Sequence, residues 1–129
     1  MAANFAYLNT RDLEFIVQEW LPSEKVFDYD QFKDYYSKDD VKPFLAPILK
    51  MAKEMVEPTN EDGNQNPVKL VDGDVILPKS FGPLFHKLQS EGWGTSNIDK
   101  SEDAMIMPHV LSGAVNELLC AANPAFYPY

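Results

Sequence analysis

The chain has 129 residues, 45% of them hydrophobic and 24% charged, the size and balance of one globular domain rather than two domains or a disordered tail. Its 11 Lys and Arg stand against 20 Asp and Glu, a formal charge of −9, which disfavours a phosphate-backbone binder, whose binding rests on clustered cations, and so a nucleic-acid partner. No apolar run approaches the roughly 18 residues that cross a bilayer, and the opening residues carry acids in place of a basic leader, so no membrane span is expected and a cytoplasmic location follows.

In chain order, Asn9 or Thr10 is placed to cap a helix whose Leu13, Ile16, Val17 and Trp20 form one apolar stripe, ended by Pro22. A second, weaker helix is read over 29–37, with Phe32, Tyr35 and Tyr36 as its apolar contribution. The third carries Leu45, Ile48, Leu49, Ala52, Met55 and Val56 at helical spacing, with Lys50/Glu54 and Lys53/Glu57 as i, i+4 ion pairs. Pro43 and Pro47 crowd its start, so its regular part is expected to begin near Pro47, and Pro58 to close it. Residues 59–67, rich in Asn, Asp and Gly, then read as a solvent loop.

Asp72-Gly73 tolerates the positive φ angles of a type I′ turn and lies between two apolar-containing runs, which predicts a short β-hairpin near 68–77. Ser80 is placed to cap the next helix, whose stripe is Phe81, Leu84, Phe85 and Leu88 and whose left-handed stop is Gly92. Residues 95–103 form a polar linker. Pro108 opens a last helix with Leu111, Ala114, Val115, Leu118 and Ala122 on one face. Five amphipathic helices and a hairpin make a mostly α fold. The ending Asn123-Pro124-Ala125-Phe126-Tyr127-Pro128-Tyr129 is apolar and aromatic, and reads as the entrance to a further buried element, as though the chain were interrupted.

Catalytic patterns are nearly absent. His86 and His109 sit in no HExxH and near no Cys pair, so no metal site is expected. Cys120, the single cysteine, lies beside an apolar stripe with no cation nearby to activate it and reads as an inert thiol. The six glycines never approach GxGxxG or a P-loop, and Asp39-Asp40 and Glu61-Asp62 are most simply solvated caps and loop charges.

Several segments resemble one family. The opening Tyr7-Leu8-Asn9-Thr10-Arg11-Asp12-Leu13-Glu14-Phe15, with Glu19-Trp20-Leu21, is similar to the N-terminal extension of a bacterial subgroup of acyl-CoA dehydrogenases. Ala52-Lys53-Glu54-Met55-Val56-Glu57-Pro58-Thr59-Asn60-Glu61-Asp62-Gly63 resembles that family's helix-to-loop segment, and Leu77-Pro78-Lys79-Ser80-Phe81 with Glu91-Gly92-Trp93 resembles the helix after its hairpin. Asn116-Glu117-Leu118-Leu119-Cys120-Ala121-Ala122-Asn123-Pro124-Ala125-Phe126 is similar to the stretch entering the family's buried central helix. The order and spacing of these segments along the chain make the combined match specific. Where many relatives carry a Tyr-Gly-Gly loop, this sequence has Gly94-Thr95-Ser96-Asn97-Ile98-Asp99-Lys100.

The resemblance implies the family's N-terminal α-helical domain, with 1–40 as an N-terminal extension and 41–129 as a helical core truncated at its C-terminal end. In the full enzyme that domain packs against a middle β domain and a C-terminal helical bundle. Such an enzyme oxidises an acyl-CoA thioester to its 2,3-enoyl form, a carboxylate base removing the α-proton while the β-hydride passes to the N5 of FAD. The base and most FAD contacts belong to the later domains, so this chain alone is expected to hold neither a catalytic residue nor the cofactor. Electron-transferring flavoprotein and a homo-oligomeric assembly are the partners implied for the parent. By the same resemblance Phe126 and Tyr129 fall on the helix face that lines the acyl-chain cavity, and plain core packing is the alternative role for them. The competing functional class is a non-catalytic helical interaction module or a truncated gene product.

Overall fold

A computed structural model of the chain describes residues 10–93 and 107–127. The expected polar linker, the departure at Gly94 to Lys100, Asn9 and Tyr129 lie outside the described residues. Among them, six α-helices and one antiparallel hairpin form the mostly α fold read from the sequence.

The first helix, α1 (Arg11–Phe15), passes without a break into a π-helical turn, Ile16–Trp20. Leu13 and Val17 are buried, but Trp20 is 68% exposed, so the stripe is narrower than its spacing suggested. Thr10 does not cap α1, since its hydroxyl donates to the Glu14 carboxylate one turn on. The expected helix over 29–37 is replaced by turns: a short α2 (Ser23–Phe27) precedes them, and the Tyr29 carbonyl accepts the N–H groups of Phe32 and Lys33. Phe32 is buried there and Tyr35 exposed. Tyr36 stacks near Phe27 and meets Phe44 edge-on, and Phe44 in turn meets Trp93. Partial burial of the Tyr36 phenol pushes its pKa up.

A nearly continuous helical run follows. It comprises a 3-10 turn Lys38–Asp40, α3 (Val41–Met51), a π-helical turn Ala52–Val56, a 3-10 turn Glu57–Thr59 and α4 (Asn60–Gln65). Three expectations are corrected here. The helix starts at Val41, ahead of both prolines. Pro43 falls in the first turn, where its missing N–H is harmless, and the helix runs through Pro47 because Val41, Leu45 and Ile48 are buried on its inner side. Pro58 does not end the run, since it occupies the first turn of the 3-10 segment. Residues 60–65, read as loop from their polarity, are helical, packed through the buried Gly63 and Thr59.

The hairpin is as expected: β1 (Lys69–Val71) pairs with β2 (Asp74–Ile76), and Asp72 and Gly73 take φ of 52° and 91°. Helix α5 (Phe81–Ser90) buries Phe81, Leu84 and Leu88. It ends at Gly92 (φ 82°), whose N–H donates to the Gln89 carbonyl while that of Trp93 donates to Leu88, a double closure that satisfies the last carbonyls. Helix α6 (His109–Ala122) lies against α3 and the Ala52–Val56 turn. Leu111, Ala114, Val115, Leu118 and Ala122 meet Ile48, Ala52 and Val56 in one core that also holds Leu13, Val17 and Phe27. Each Val, Leu, Ile or Phe side chain among these contributes roughly 1.5–3 kcal/mol by leaving water.

Candidate functional site

Asn123-Pro124 is a stop and a start in two residues. Asn123 leaves α6 with extended backbone (φ −151°, ψ 94°), the conformation of a residue that caps a new helical turn. Its Oδ1 accepts the N–H groups of Ala125 and Phe126 at 3.0 and 3.1 Å, and its main-chain carbonyl accepts those of Phe126 and Tyr127, both at 3.2 Å. Pro124 occupies the first position of that turn, where no N–H is needed. On its other side, the Asn123 Nδ2 donates to the Thr59 hydroxyl at 2.8 Å, and that hydroxyl donates to the Val56 carbonyl at 2.7 Å. Asn123 is 0% exposed, so these bonds meet the desolvation of its amide.

The turn carries Phe126 inward. Its ring, 5% exposed, meets Phe81 edge-to-face with centroids 5.2 Å apart and planes at 85°, the geometry that aromatic quadrupoles favour. Gly63 makes room for this pair: a Cβ there would stand 3.0 Å from Phe81 Cζ and 3.6 Å from Ala125 Cβ. Asp62 holds the start of α5 by accepting the Ser80 hydroxyl at 2.7 Å and the Ser80 N–H at 3.0 Å. The expected capping role of Ser80 is thereby corrected, because its hydroxyl serves as a donor to Asp62 and not as the cap of α5. Those Ser80 bonds, the hydroxyl first, together with a further one from Asn66, hold the Asp62 carboxyl below the usual carboxylate range.

Of the two residues that resemblance placed at an acyl cavity, Phe126 therefore lies at a buried junction of three segments: the 59–63 stretch, the start of α5 and the turn after α6. Tyr129 lies outside the described residues. The sequence reading missed Thr59, Asp62, Gly63 and Asn123. For Asn123 the signal was present, since Asn followed by Pro is the pattern of a cap and first helical residue. For Asp62 it was not, since its partner Ser80 is 18 residues away.

His86 and His109 are exposed on different helices, Asp39 and Asp40 are exposed, and Cys120 is partly buried on α6. Among the described residues no three His, Cys, Asp or Glu side chains converge on a common metal position, and no helix is long and apolar enough to cross a membrane. Among the described residues Gly63 packs beneath Phe81, Gly73 and Gly92 form turns, and Gly82 and Gly113 lie within α5 and α6.

No family model matches the chain. It is 32% identical over 125 residues to a butyryl-CoA dehydrogenase of Syntrophomonas wolfei, a match covering 95% of this chain and 20% of that protein. It is 29% identical over 123 residues to a broad-specificity linear acyl-CoA dehydrogenase of Mycobacterium tuberculosis, covering 94% of this chain and 20% of the relative. A 3-methylmercaptopropionyl-CoA dehydrogenase of Ruegeria pomeroyi is 23% identical over 119 residues, again 20% of its length. Proteins named acyl-CoA dehydrogenases thus match almost all of this chain, as the sequence segments suggested, and the chain spans about a fifth of their length, consistent with an N-terminal piece of such an enzyme.

Proposed function

We propose that the chain is the N-terminal helical domain of an FAD-dependent acyl-CoA dehydrogenase that oxidises an acyl-CoA thioester to the 2,3-enoyl-CoA. The observation that carries this reading is the similarity to enzymes of that name along 95% of the chain; all of the relatives named above act, by their names, on acyl-CoA thioesters. Residues 1–40 form an N-terminal extension and 41–129 the helical core. FAD and the catalytic base belong to the other four fifths of the parent, as do the contacts to electron-transferring flavoprotein. The parent is cytoplasmic and homo-oligomeric.

This domain's own contribution is a wall of the acyl cavity. Phe126 and Tyr129 supply it, and support for Phe126 comes from a ring fixed on Phe81 at the hydrogen-bonded turn after α6, where a rigid apolar group can limit the space for an acyl chain. Replacing Phe126 by Ala in the full-length enzyme tests the assignment. In the cavity role, kcat/KM shifts toward longer or bulkier acyl groups relative to short ones. An unchanged profile in a folded, flavin-loaded variant returns Phe126 to the core.

A further inference from the structure

The Thr59 hydroxyl has one proton, and the Val56 carbonyl takes it. Its oxygen is then left as an acceptor, which only the NH2 end of the Asn123 amide can satisfy. That fixes the amide's orientation and points Oδ1 at the N–H groups of Ala125 and Phe126. The turn carrying Phe126 is thus referenced to the 3-10 turn Glu57–Thr59 within the long helical run, 64 residues earlier in the chain, and not only to the end of α6. From the opposite side Phe81 holds the ring itself.

We infer that Thr59 and Asn123 are a pair of positioning residues that set the acyl-cavity wall, and with it the enzyme's selectivity among acyl-CoA thioesters of different chain length. This rests on the reading that Phe126 lines that cavity. A ring anchored through both its backbone and its face cannot yield to a longer chain without breaking buried hydrogen bonds, so the pocket discriminates by size. When the anchor is loosened, the ring can give way and the discrimination falls.

The test uses the full-length enzyme, with flavin content and thermal melting as folding controls, and kcat/KM for a short and a long straight-chain acyl-CoA. Thr59→Val keeps the buried volume and leaves the Asn123 cap oxygen in place while removing the acceptor. Asn123→Asp keeps an oxygen for capping but turns a second oxygen toward Thr59, whose proton is already committed. Both variants are expected to raise the long-to-short ratio by about five- to tenfold, in the same sense as Phe126→Ala, because one methylene in an apolar pocket discriminates by about tenfold or more. Thr59→Ser, which keeps the hydroxyl, retains the parent ratio. A parent ratio in folded Thr59→Val, beside a shifted ratio in Phe126→Ala, overturns the positioning role and leaves the cavity reading standing. A parent ratio in Phe126→Ala overturns both.

Discussion

Around Asn123 the polar groups are buried and hydrogen-bonded and the aromatic rings interlock, whereas the 68–77 hairpin shows its apolar side chains to solvent. In the register of Leu70 opposite Val75, alternation puts Val68, Leu70, Val75 and Leu77 on one face, and Leu70 is 74% exposed. Lys69 and Asp74 share the other face with Val71 and Ile76, themselves about half exposed, so the hairpin shows apolar side chains on both faces among the described residues. The junction is held by contacts made inside this chain. The hairpin depends on its turn geometry, because a lone two-stranded ribbon is marginal in water. Changes at the junction should therefore cost stability, and changes on the hairpin should alter association.

The largest effect is expected from Phe81→Ala, which empties the site against Phe126 and should destabilise the chain by about 3–5 kcal/mol in urea unfolding. A loss under about 1 kcal/mol would mean that the two rings do not carry the junction. Gly63→Ala comes next. The new methyl meets Phe81 Cζ at 3.0 Å, and the overpacking, about 1–3 kcal/mol, should outweigh the roughly 0.5–1 kcal/mol that Ala gains over Gly in a helix. A higher unfolding midpoint would show that the ring steps aside freely.

On the hairpin, the double change Leu70→Thr and Val75→Thr should leave unfolding within about 0.5 kcal/mol. It should nonetheless reduce hydrophobic-dye binding and the self-association expected of a chain with so much exposed apolar surface. A parent chain that sediments as a strict monomer and binds no dye would contradict this.

The smallest effect concerns Asp62. Its folded pKa is depressed, so the stability it contributes is fully present above its ordinary value of 3.8 and is lost as pH falls through the lower folded value. Asp62→Asn should lower the melting temperature slightly at neutral pH and converge with the parent chain at strongly acidic pH. A constant gap across that range would remove the ionised carboxylate from the account.

Much of this was legible beforehand where local chemistry decides. Asp72-Gly73 gave the hairpin and Gly92 the end of α5, because positive φ is a property of the residue itself. The core faces of α3, α5 and α6 followed from spacing. Residues 29–37 and 59–67 were misread for opposite reasons. The first has apolar content but is closed by local turns around the Tyr29 carbonyl. The second is polar yet helical, because Thr59 and Gly63 are buried against Asn123 and Phe81, residues distant in sequence. The junction was visible only in its local part, the Asn123-Pro124 cap and the aromatic ending, since the hydrogen bonds that tie it to the rest of the chain join positions 18 and 64 apart.

The central claim, that this chain is a domain of an acyl-CoA-oxidising flavoenzyme, is tested most directly on the native protein that carries it. Intact mass and absorption spectrum would be recorded before and after anaerobic addition of butyryl-CoA and of a longer straight-chain acyl-CoA. A polypeptide about five times the length of this chain, with a flavin band bleached by at least one of the two thioesters, is the predicted result. A colourless species of 14.6 kDa, or a flavin indifferent to both, would contradict it.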